Sequence, residues 1–215
     1  MTKEDPQPAS RSRGRRPTFD RSEALSVALD LFWRHGYEGV SISDLCEAIG
    51  IAPPSLYHAF GSKADLYREV LKLYGAGNVT ADEIAVAPSA RAAVAMLLER
   101  GVEAVSRPGR PSGCMISSGM LMASPENADL AQELQALRAE TRIALEHRIV
   151  RDVAAGALSA DTDAATLARF FATVLQGLSV QALDGAGRAE LQAVAATALR
   201  AWPDGAGSSL ASLRS

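Results

Sequence analysis

Three exposed polar side chains on one short predicted helix suit hydrogen bonding to phosphates and base edges better than catalysis. Leu56 and Phe60 are spaced at i and i+4, so both can pack inward from one face. The same geometry turns Ser55, Tyr57 and His58 towards solvent, on a helix too short to be stable alone. This pattern predicts that the helix reads nucleic acid.

Lys63 adds a positive charge at the end of this helix. Ser62 and Asp65 are spaced as a capping box, which predicts that a further helix begins immediately and carries Lys63 in its first turn. An ammonium group at that position can reach a phosphate, and phosphate contacts set the register of a protein on DNA.

Helix start and stop signals before residue 55 define the element that positions these side chains. Ser41 and Asp44 form a capping box that opens a helix, and Gly50 suits the left-handed position that closes it. Pro53-Pro54 then fits the first turn of the next helix, where a missing N–H costs nothing. Asp20 caps an earlier helix that braces the pair. Together these signals predict a helix-turn-helix.

An enzyme is not expected, because the reactive side chains are scattered. His35, His58 and His147 are far apart in the sequence, with no cluster of carboxylates or cysteines beside them. Cys46 and Cys114 cannot build a disulfide framework and lack metal-ligand spacing, so neither a metal nor a cofactor is expected.

Length and composition predict an all-α chain of one or two domains. The chain has 215 residues, 47% of them hydrophobic, with many alanines and leucines and few alternating β-branched runs. No apolar run approaches the roughly 18 to 20 residues that span a bilayer, so no membrane partner is expected. The N-terminus lacks the apolar region of a signal peptide, which predicts a cytoplasmic protein.

The charge distribution places the DNA-binding part at the front of the chain. The net charge is −3, but residues 11–21 hold five arginines against one acidic residue. Residues 1–18 show no apolar period and are predicted to be a disordered basic arm. Arg15 and Arg16 are expected to follow the minor groove, the alternative being a solvated tail that only aids solubility.

Residues 14–72 closely resemble the N-terminal domain of the TetR/AcrR family of bacterial transcriptional regulators. The resemblance rests on G-Y-E-G, D-L-C-E-A-I-G, P-S-L-Y-H-A-F and G-S-K-A-D-L in the family's order and spacing. It implies a homodimer with one three-helix head in each of two successive major grooves of a double-stranded, palindromic operator. The residues expected to contact DNA are Arg15, Arg16, Ser41, Ser43, Pro54, Ser55, Leu56, Tyr57, His58 and Lys63.

The predicted organisation is all-α in two domains. Residues 19–64 form the helix-turn-helix DNA-binding domain, and residues 65–203 form a helical ligand-binding and dimerisation domain that begins with a connecting helix over 65–78. Further helices are predicted over 88–106 and 124–155, after Asp161, and over 188–202. Residues 204–215 are predicted to be a flexible tail.

A helix that is apolar on nearly all faces predicts the dimer interface. The segment from Leu167 to Leu183 leaves hardly any polar face, so one side is expected to meet a second copy around a twofold axis. With the last helix it would form a four-helix interface. The residues predicted in this interface are Phe170, Val174, Gly177, Leu178, Gln181, Leu191, Val194 and Leu199.

The resemblance also implies a pocket for an unknown small-molecule effector in the rear domain. Its predicted lining is Met96, Arg100, Cys114, Met115, Met120, Met122, Phe171 and Gln176, although methionines at helical spacing are often core residues. Cys114 follows a glycine at an expected helix start, where the helix dipole can activate a thiol.

The expected function is a repressor that a small molecule releases from DNA. Two alternatives stay open. One is an electrophile- or redox-sensing repressor that uses Cys114, since Gly-Cys-Met-Ile resembles a family subset with a sensing cysteine near this point, although Cys114 can also simply be a packing residue. The other is a regulator without a small-molecule ligand.

Overall fold

The computed structural model of the protein describes residues 20–203. The predicted arm over residues 1–18, with Arg15 and Arg16, and the predicted tail over residues 204–215 lie outside the described part. Residues 20–203 fold into helices joined by turns and loops, in agreement with the all-α prediction. Within this range no helix is both long enough and apolar enough to cross a bilayer.

Three helices form the head of the molecule. They are α1 (Arg21–His35), α2 (Ile42–Ile49) and α3 (Pro53–Phe60). The Asp20 carboxylate accepts from the N–H groups of Ser22 and Glu23, which confirms it as the cap of α1. Packing α1 against α2 fixes the orientation of the short α2–α3 pair, which has too few residues to be stable alone.

The remaining helices form the rear of the molecule. They are α4 (Lys63–Gly75), α5 (Ala81–Val86), α6 (Ala90–Val105), α7 (Met115–Ser118), a 3-10 turn (Pro125–Asn127), α8 (Ala128–Ala154), α9 (Ala164–Leu183) and α10 (Arg188–Arg200). Helix α5 was not predicted, although Thr80 and Glu83 form the capping box that starts it. Helix α9 is capped by Asp163, whereas the sequence favoured Asp161.

The buried side chains form two hydrophobic clusters, one of which extends beyond residue 64. One cluster combines α1–α3 with Leu66, Tyr67, Val70 and Leu71 of α4, and it continues into α7 and α8. The other fills the rear bundle between α5, α6, α8, α9 and α10. The head therefore has no separate core of its own, because α4, α7 and the start of α8 complete it.

Candidate nucleic-acid interface

Caps at both ends of α2 fix the geometry of the helix-turn-helix. Ser41 Oγ accepts from the Asp44 N–H at 3.1 Å, and the Asp44 carboxylate accepts from the Ser41 N–H at 2.8 Å. Gly50 has φ of 77°, a left-handed conformation that glycine adopts without strain, and its N–H donates to the Cys46 and Glu47 carbonyls. Both sequence predictions, the capping box and the glycine stop, are confirmed.

Helix α3 presents one polar face to solvent and one apolar face to the head core. Pro54, Ser55 and His58 are exposed, and Tyr57 is 49% exposed. Leu56 has 0% exposure in the core, so its predicted contact with DNA is wrong. The i and i+4 spacing that packs Leu56 and Phe60 inward is the same spacing that turns the other side chains outward.

Lys63 is held in place at the start of α4. Its Nζ lies 4.1 Å from the centroid of the Tyr37 ring, a cation–π contact, and the side chain is half-buried. Burial lowers the pKa of Lys63, while the charges of Glu38 and Asp44 act in the opposite direction. The ammonium group therefore stands beside the end of α3 in a defined position rather than on a freely moving side chain.

Arg21 fixes the end of α3, a role that the sequence did not suggest. Its guanidinium lies 4.7 Å from the centroid of the Phe60 ring, donates to the Ala59 carbonyl and pairs with Glu69 at 2.6 Å. The ends of α1, α3 and α4 are thereby joined through one side chain. No spacing in the sequence predicts this contact, because the partners are 38 and 48 residues away.

Serines at the start of α2 extend the exposed surface of the head. Ser41 and Ser43 are both exposed, and they lie at the N-terminus of α2, where Ser41 is the cap. Among the described predicted DNA contacts, Lys63 is half-buried at the border with α4, Leu56 is buried, and all the others are exposed on the head.

Polar contacts attach the head to the rear bundle. The Glu38 carboxylate accepts from Ser124 N–H at 3.0 Å, Ser124 Oγ at 2.9 Å and Asn127 Nδ2 at 3.0 Å. Trp33 Nε1 donates to the Gly113 carbonyl at 3.2 Å. These contacts join α1 and the α1–α2 turn to the α6–α7 loop and to the turn before α8.

A cavity of about 700 Å³ lies in the rear bundle and reaches α4. Its wall includes residues from α4, α6, α8 and α9 and the start of α7. Three of the eight predicted lining residues are on this wall, namely Arg100, Cys114 and Gln176.

The other five predicted lining residues lie elsewhere. Met115 and Met120 pack in the head cluster, and Phe171 is 3% exposed in the rear core. Met96 is half-buried on α6, away from the cavity wall, and Met122 is 95% exposed on a loop. Helical spacing cannot place Met122, which lies outside any helix, and it carries no information about which interior space an inward side chain reaches.

Cys114 lies on the cavity wall where the start of α7 meets α9. It is half-buried at the start of α7, where its Sγ accepts from the Ser117 N–H at 3.4 Å. Its own N–H donates to Ser179 Oγ on α9 at 2.8 Å. Tyr74 lies beside the thiol, and burial raises the pKa of this phenol well above its ordinary value. Cys46, by contrast, is buried in the head core, where burial raises the pKa of its thiol.

The predicted dimer residues divide between an exposed face and the core of the protomer. Phe170 and Val194 are 40% and 49% exposed, and Gly177 and Gln181 are exposed on the same helix as Phe170. Val174 and Leu199 are half-buried against the rear core. The predictions for Leu178 and Leu191 are wrong, because these residues are 2% and 1% exposed inside the protomer.

The fold and the exposed α3 face define a helix-turn-helix DNA-binding protein, and comparisons give its family. Residues 24–70 match the family of bacterial regulatory proteins described as the tetR family. Residues 90–199 match the tetracyclin repressor-like C-terminal domain. The chain belongs to the TetR family of transcriptional regulators.

Relatives cover nearly the whole chain. The HTH-type transcriptional repressor ComR of Escherichia coli K12 is 33% identical over 207 residues, which are 95% of this chain and 99% of that protein. The repressor BdcR of the same organism is 32% identical over 199 residues, 88% of this chain and 92% of that one.

A solved structure of similar architecture contains DNA. A cysteine variant of the TetR family regulator CifR, in complex with 26-bp double-stranded operator DNA, is 46% identical with a TM-score of 0.80, and the match covers 88% of this chain and all of that one. The chain is thus a DNA-binding transcriptional regulator rather than an enzyme.

Proposed function

We propose that the chain is a repressor that binds a palindromic operator as a homodimer and is released when a small molecule occupies the rear cavity. One observation carries the proposal: helix α4 bears Lys63 at its first residue and lines the cavity with Leu71, Tyr74 and Gly75 at its other end. A ligand that moves one end of this helix displaces the phosphate-binding end.

The DNA contacts of each protomer come from the head. Tyr57 and Lys63 hold phosphates and fix the register, while Ser55 and His58 reach base edges. Ser41, Ser43 and Pro54 border the backbone, and Arg15 and Arg16 follow the minor groove. The functional units are the head over residues 19–64 and the ligand-binding and dimerisation unit over residues 65–203.

The second protomer covers the exposed face of α9 and α10. Phe170, Gly177, Gln181 and Val194 form its centre, with Val174 and Leu199 at the border with the protomer core. A twofold axis there places two heads on one side of the dimer, as a palindrome requires.

Release follows from a shift between two arrangements of the heads. Ligand in the cavity favours the arrangement in which α4 sets the heads at a spacing other than one duplex turn, roughly 34 to 36 Å. A ligand shifts this equilibrium only as far as its affinities for the two arrangements differ.

Titration of the purified protein with DNA from the region upstream of its own gene tests the proposal. We expect saturable binding whose log K falls linearly with log salt, and at least about tenfold weaker binding to a scrambled sequence of the same length. Equal binding to both sequences would overturn the proposal.

A second candidate uses Cys114 as a sensor of electrophiles or oxidants. It is favoured by the position of the thiol on the cavity wall, at a residue bonded to α9 and next to one bonded to α1. Treatment with N-ethylmaleimide is expected to abolish operator binding in the wild type and to spare Cys114→Ser. Modification that leaves binding unchanged would dismiss this candidate.

A cavity of about 700 Å³ argues against a regulator without a small-molecule ligand.

A further inference from the structure

Arg138 on α8 is a cavity residue whose positive charge has no carboxylate partner among residues 20–203. Its Nη1 donates to the Ile116 and Gly119 carbonyls at 2.9 and 3.0 Å. Within the described chain its Nε and Nη2 groups have no acceptor. A guanidinium keeps its charge at all relevant pH values, so this charge is permanent.

The other cavity arginines are neutralised by carboxylates. Arg68 pairs with Glu133 at 2.8 Å and with Asp65 at 2.9 Å. Arg100 pairs with Glu83 at 2.6 Å. Arg138 differs because its partners in the described part of the chain are neutral carbonyl groups, which bind one nitrogen and leave the Nε and Nη2 donors available.

Arg138 is also partly withdrawn from water. It is half-buried, and desolvation lowers its pKa, with only Tyr67 and Cys114 acting in the opposite direction. A partly buried charge without a counter-ion is unfavourable, and an anion in the cavity removes that cost. The Nε and Nη2 donors form the planar fork that binds both oxygens of a carboxylate.

The rest of the cavity surface combines apolar side chains with polar and charged ones. Leu97, Leu137 and Leu175 bring apolar side chains from α6, α8 and α9. Lys72 and Glu140 also line the cavity, but both are exposed to solvent and oppose each other in charge. A ligand that satisfies this surface has one anionic end and an apolar body.

We propose that the effector is an amphipathic carboxylate, whose two oxygens accept from Nε and Nη2 of Arg138 and whose apolar body contacts Leu97, Leu137 and Leu175. This inference rests on the proposed release of DNA by a ligand in the cavity. Arg138 holds the Ile116 and Gly119 carbonyls at the same time, and Ile116 packs against the head cluster. The carboxylate therefore binds the side chain that also holds this segment against the head.

Octanoate and 1-octanol are matched probes, since they share an eight-carbon chain and differ in charge. Calorimetry is expected to show that the wild type binds octanoate at least about tenfold more tightly than octanol. Arg138→Gln is expected to lose this preference while octanol binding stays unchanged. Arg138→Lys, which keeps the charge but not the fork, is expected to recover part of it.

Arg142→Gln is the matched control, because it removes another half-buried arginine of α8 that lies off the cavity wall and already pairs with Glu146 at 2.8 Å. It is expected to retain the octanoate preference. Three outcomes would overturn the inference: no octanoate binding to the wild type, equal binding of the two probes, or a preference that survives in Arg138→Gln.

Operator release, followed by fluorescence anisotropy in the same solutions, separates this inference from the proposed function. Release by octanol and octanoate at equal concentrations supports a ligand-released repressor and overturns the carboxylate site. Octanoate binding that depends on Arg138 but leaves the operator bound supports the site and contradicts ligand release.

Discussion

Lys63 combines an accessible charge with a fixed position. The Tyr37 ring under its ammonium and the adjoining end of α3 restrict the side chain before any phosphate arrives. A preorganised side chain loses less conformational entropy on binding, which is worth about 0.5 to 1.5 kcal/mol for a long flexible residue.

Lys63→Gln is expected to weaken binding to all DNA sequences alike. The reason is that a phosphate contact carries no sequence information, and each one lost reduces the slope of log K against log salt by about 0.9. Titrations at several salt concentrations measure this slope.

Lys72→Gln is the control for Lys63→Gln, because it makes the same change of charge nine residues further along α4. We expect it to leave the salt dependence unchanged. Equal slopes for Lys63→Gln and the wild type would show that Lys63 does not contact a phosphate.

Local residue patterns predicted the exposed face of α3 because a helical period decides which side chains point outward. The same period correctly turned Leu56 inward, and only the family resemblance had assigned it to DNA. Arg138 escaped prediction for a different reason. It stands out because no carboxylate within residues 20–203 pairs with it in three dimensions, and a sequence does not show which charges will be neutralised by residues far along the chain.

At the level of the elements, Glu38 connects the α1–α2 turn to the start of α8. Hydrogen bonds from Ser124 and Asn127 lower the pKa of this carboxyl group, the largest contribution coming from the Ser124 N–H. A carboxyl group with a lowered pKa in the folded state stabilises the protein above its ordinary pKa of 4.5. That stabilisation is lost as the pH falls through the lower value.

Glu38→Ala is expected to lower the stability at pH 7 by about 0.5 to 1 kcal/mol, a small value because solvent screens this exposed group. The difference from the wild type should shrink as the pH falls from 4.5 through the lowered pKa of folded Glu38, because the wild-type carboxyl group then becomes neutral. Urea unfolding at pH 7 and at pH 3 measures it.

Glu126→Ala serves as the control for Glu38→Ala, since within residues 20–203 this nearby carboxylate forms no hydrogen bond or ion pair. It should have little effect at either pH. A Glu38→Ala deficit of the same size at pH 3 would argue against the connection acting through the charge.

Gly113 in the α6–α7 loop occupies a position that suits only glycine, because the backbone is left-handed there and Leu183 leaves no space for a Cβ. Its φ is 79°, and a Cβ there would lie 2.6 Å from Leu183 Cγ. Gly113→Ala is therefore expected to lose about 1 to 2 kcal/mol from backbone strain, and more from displacing Leu183. Urea unfolding gives the total.

Gly109→Ala isolates the backbone contribution. Gly109 has φ of 75° in the same loop, but a Cβ there would meet nothing within 4 Å. We expect a smaller loss than for Gly113→Ala, and equal losses would mean that Leu183 moves aside without cost.

Capping signals predicted most of the helices, and a missed cap explains the missed helix. The box at Ser41 and Asp44 opens α2 as expected, and Thr80 with Glu83 opens α5 in the same way. Helix α5 has six residues and one buried side chain, Ile84. A segment this short shows no apolar period, so only its cap could have revealed it.

At the scale of the whole molecule, the exposed face of α9 and α10 leaves apolar surface that a dimer would cover. Val194→Asp is expected to dissociate the dimer, since burying an unpaired carboxylate costs at least about 2.8 kcal/mol, a hundredfold in the dissociation constant. Sedimentation velocity measures the protomer mass, and operator binding should weaken in parallel.

Val86→Asp is the matched control for Val194→Asp. Val86 is 80% exposed on α5, outside the α9–α10 face, so the same substitution should leave the dimer intact. Dissociation by both variants, or by neither, would contradict an interface centred on Val194.

The proposed dimer face was only partly predictable, because a sequence does not show which side of an apolar helix faces the core of its own protomer. On α9, Leu178 lies on the inner side and Phe170 on the outer one, and on α10 the same holds for Leu191 and Val194. The inner side of α9 is set by its packing against α6 and α8, and the inner side of α10 by its packing against α6 and α9. Both therefore depend on the complete bundle.

The peptide unit between Gly113 and Cys114 is hydrogen-bonded to a different helix on each side. Its carbonyl oxygen accepts from Trp33 on α1, and its N–H donates to Ser179 on α9. A peptide unit is planar, so its carbonyl and N–H cannot turn independently. A rotation of the peptide unit that breaks its hydrogen bond to Ser179 on α9 therefore also misaligns its hydrogen bond to Trp33 on α1. The head and the helix that carries the outer apolar face are therefore linked through the rotation of this single peptide unit, next to the thiol of Cys114.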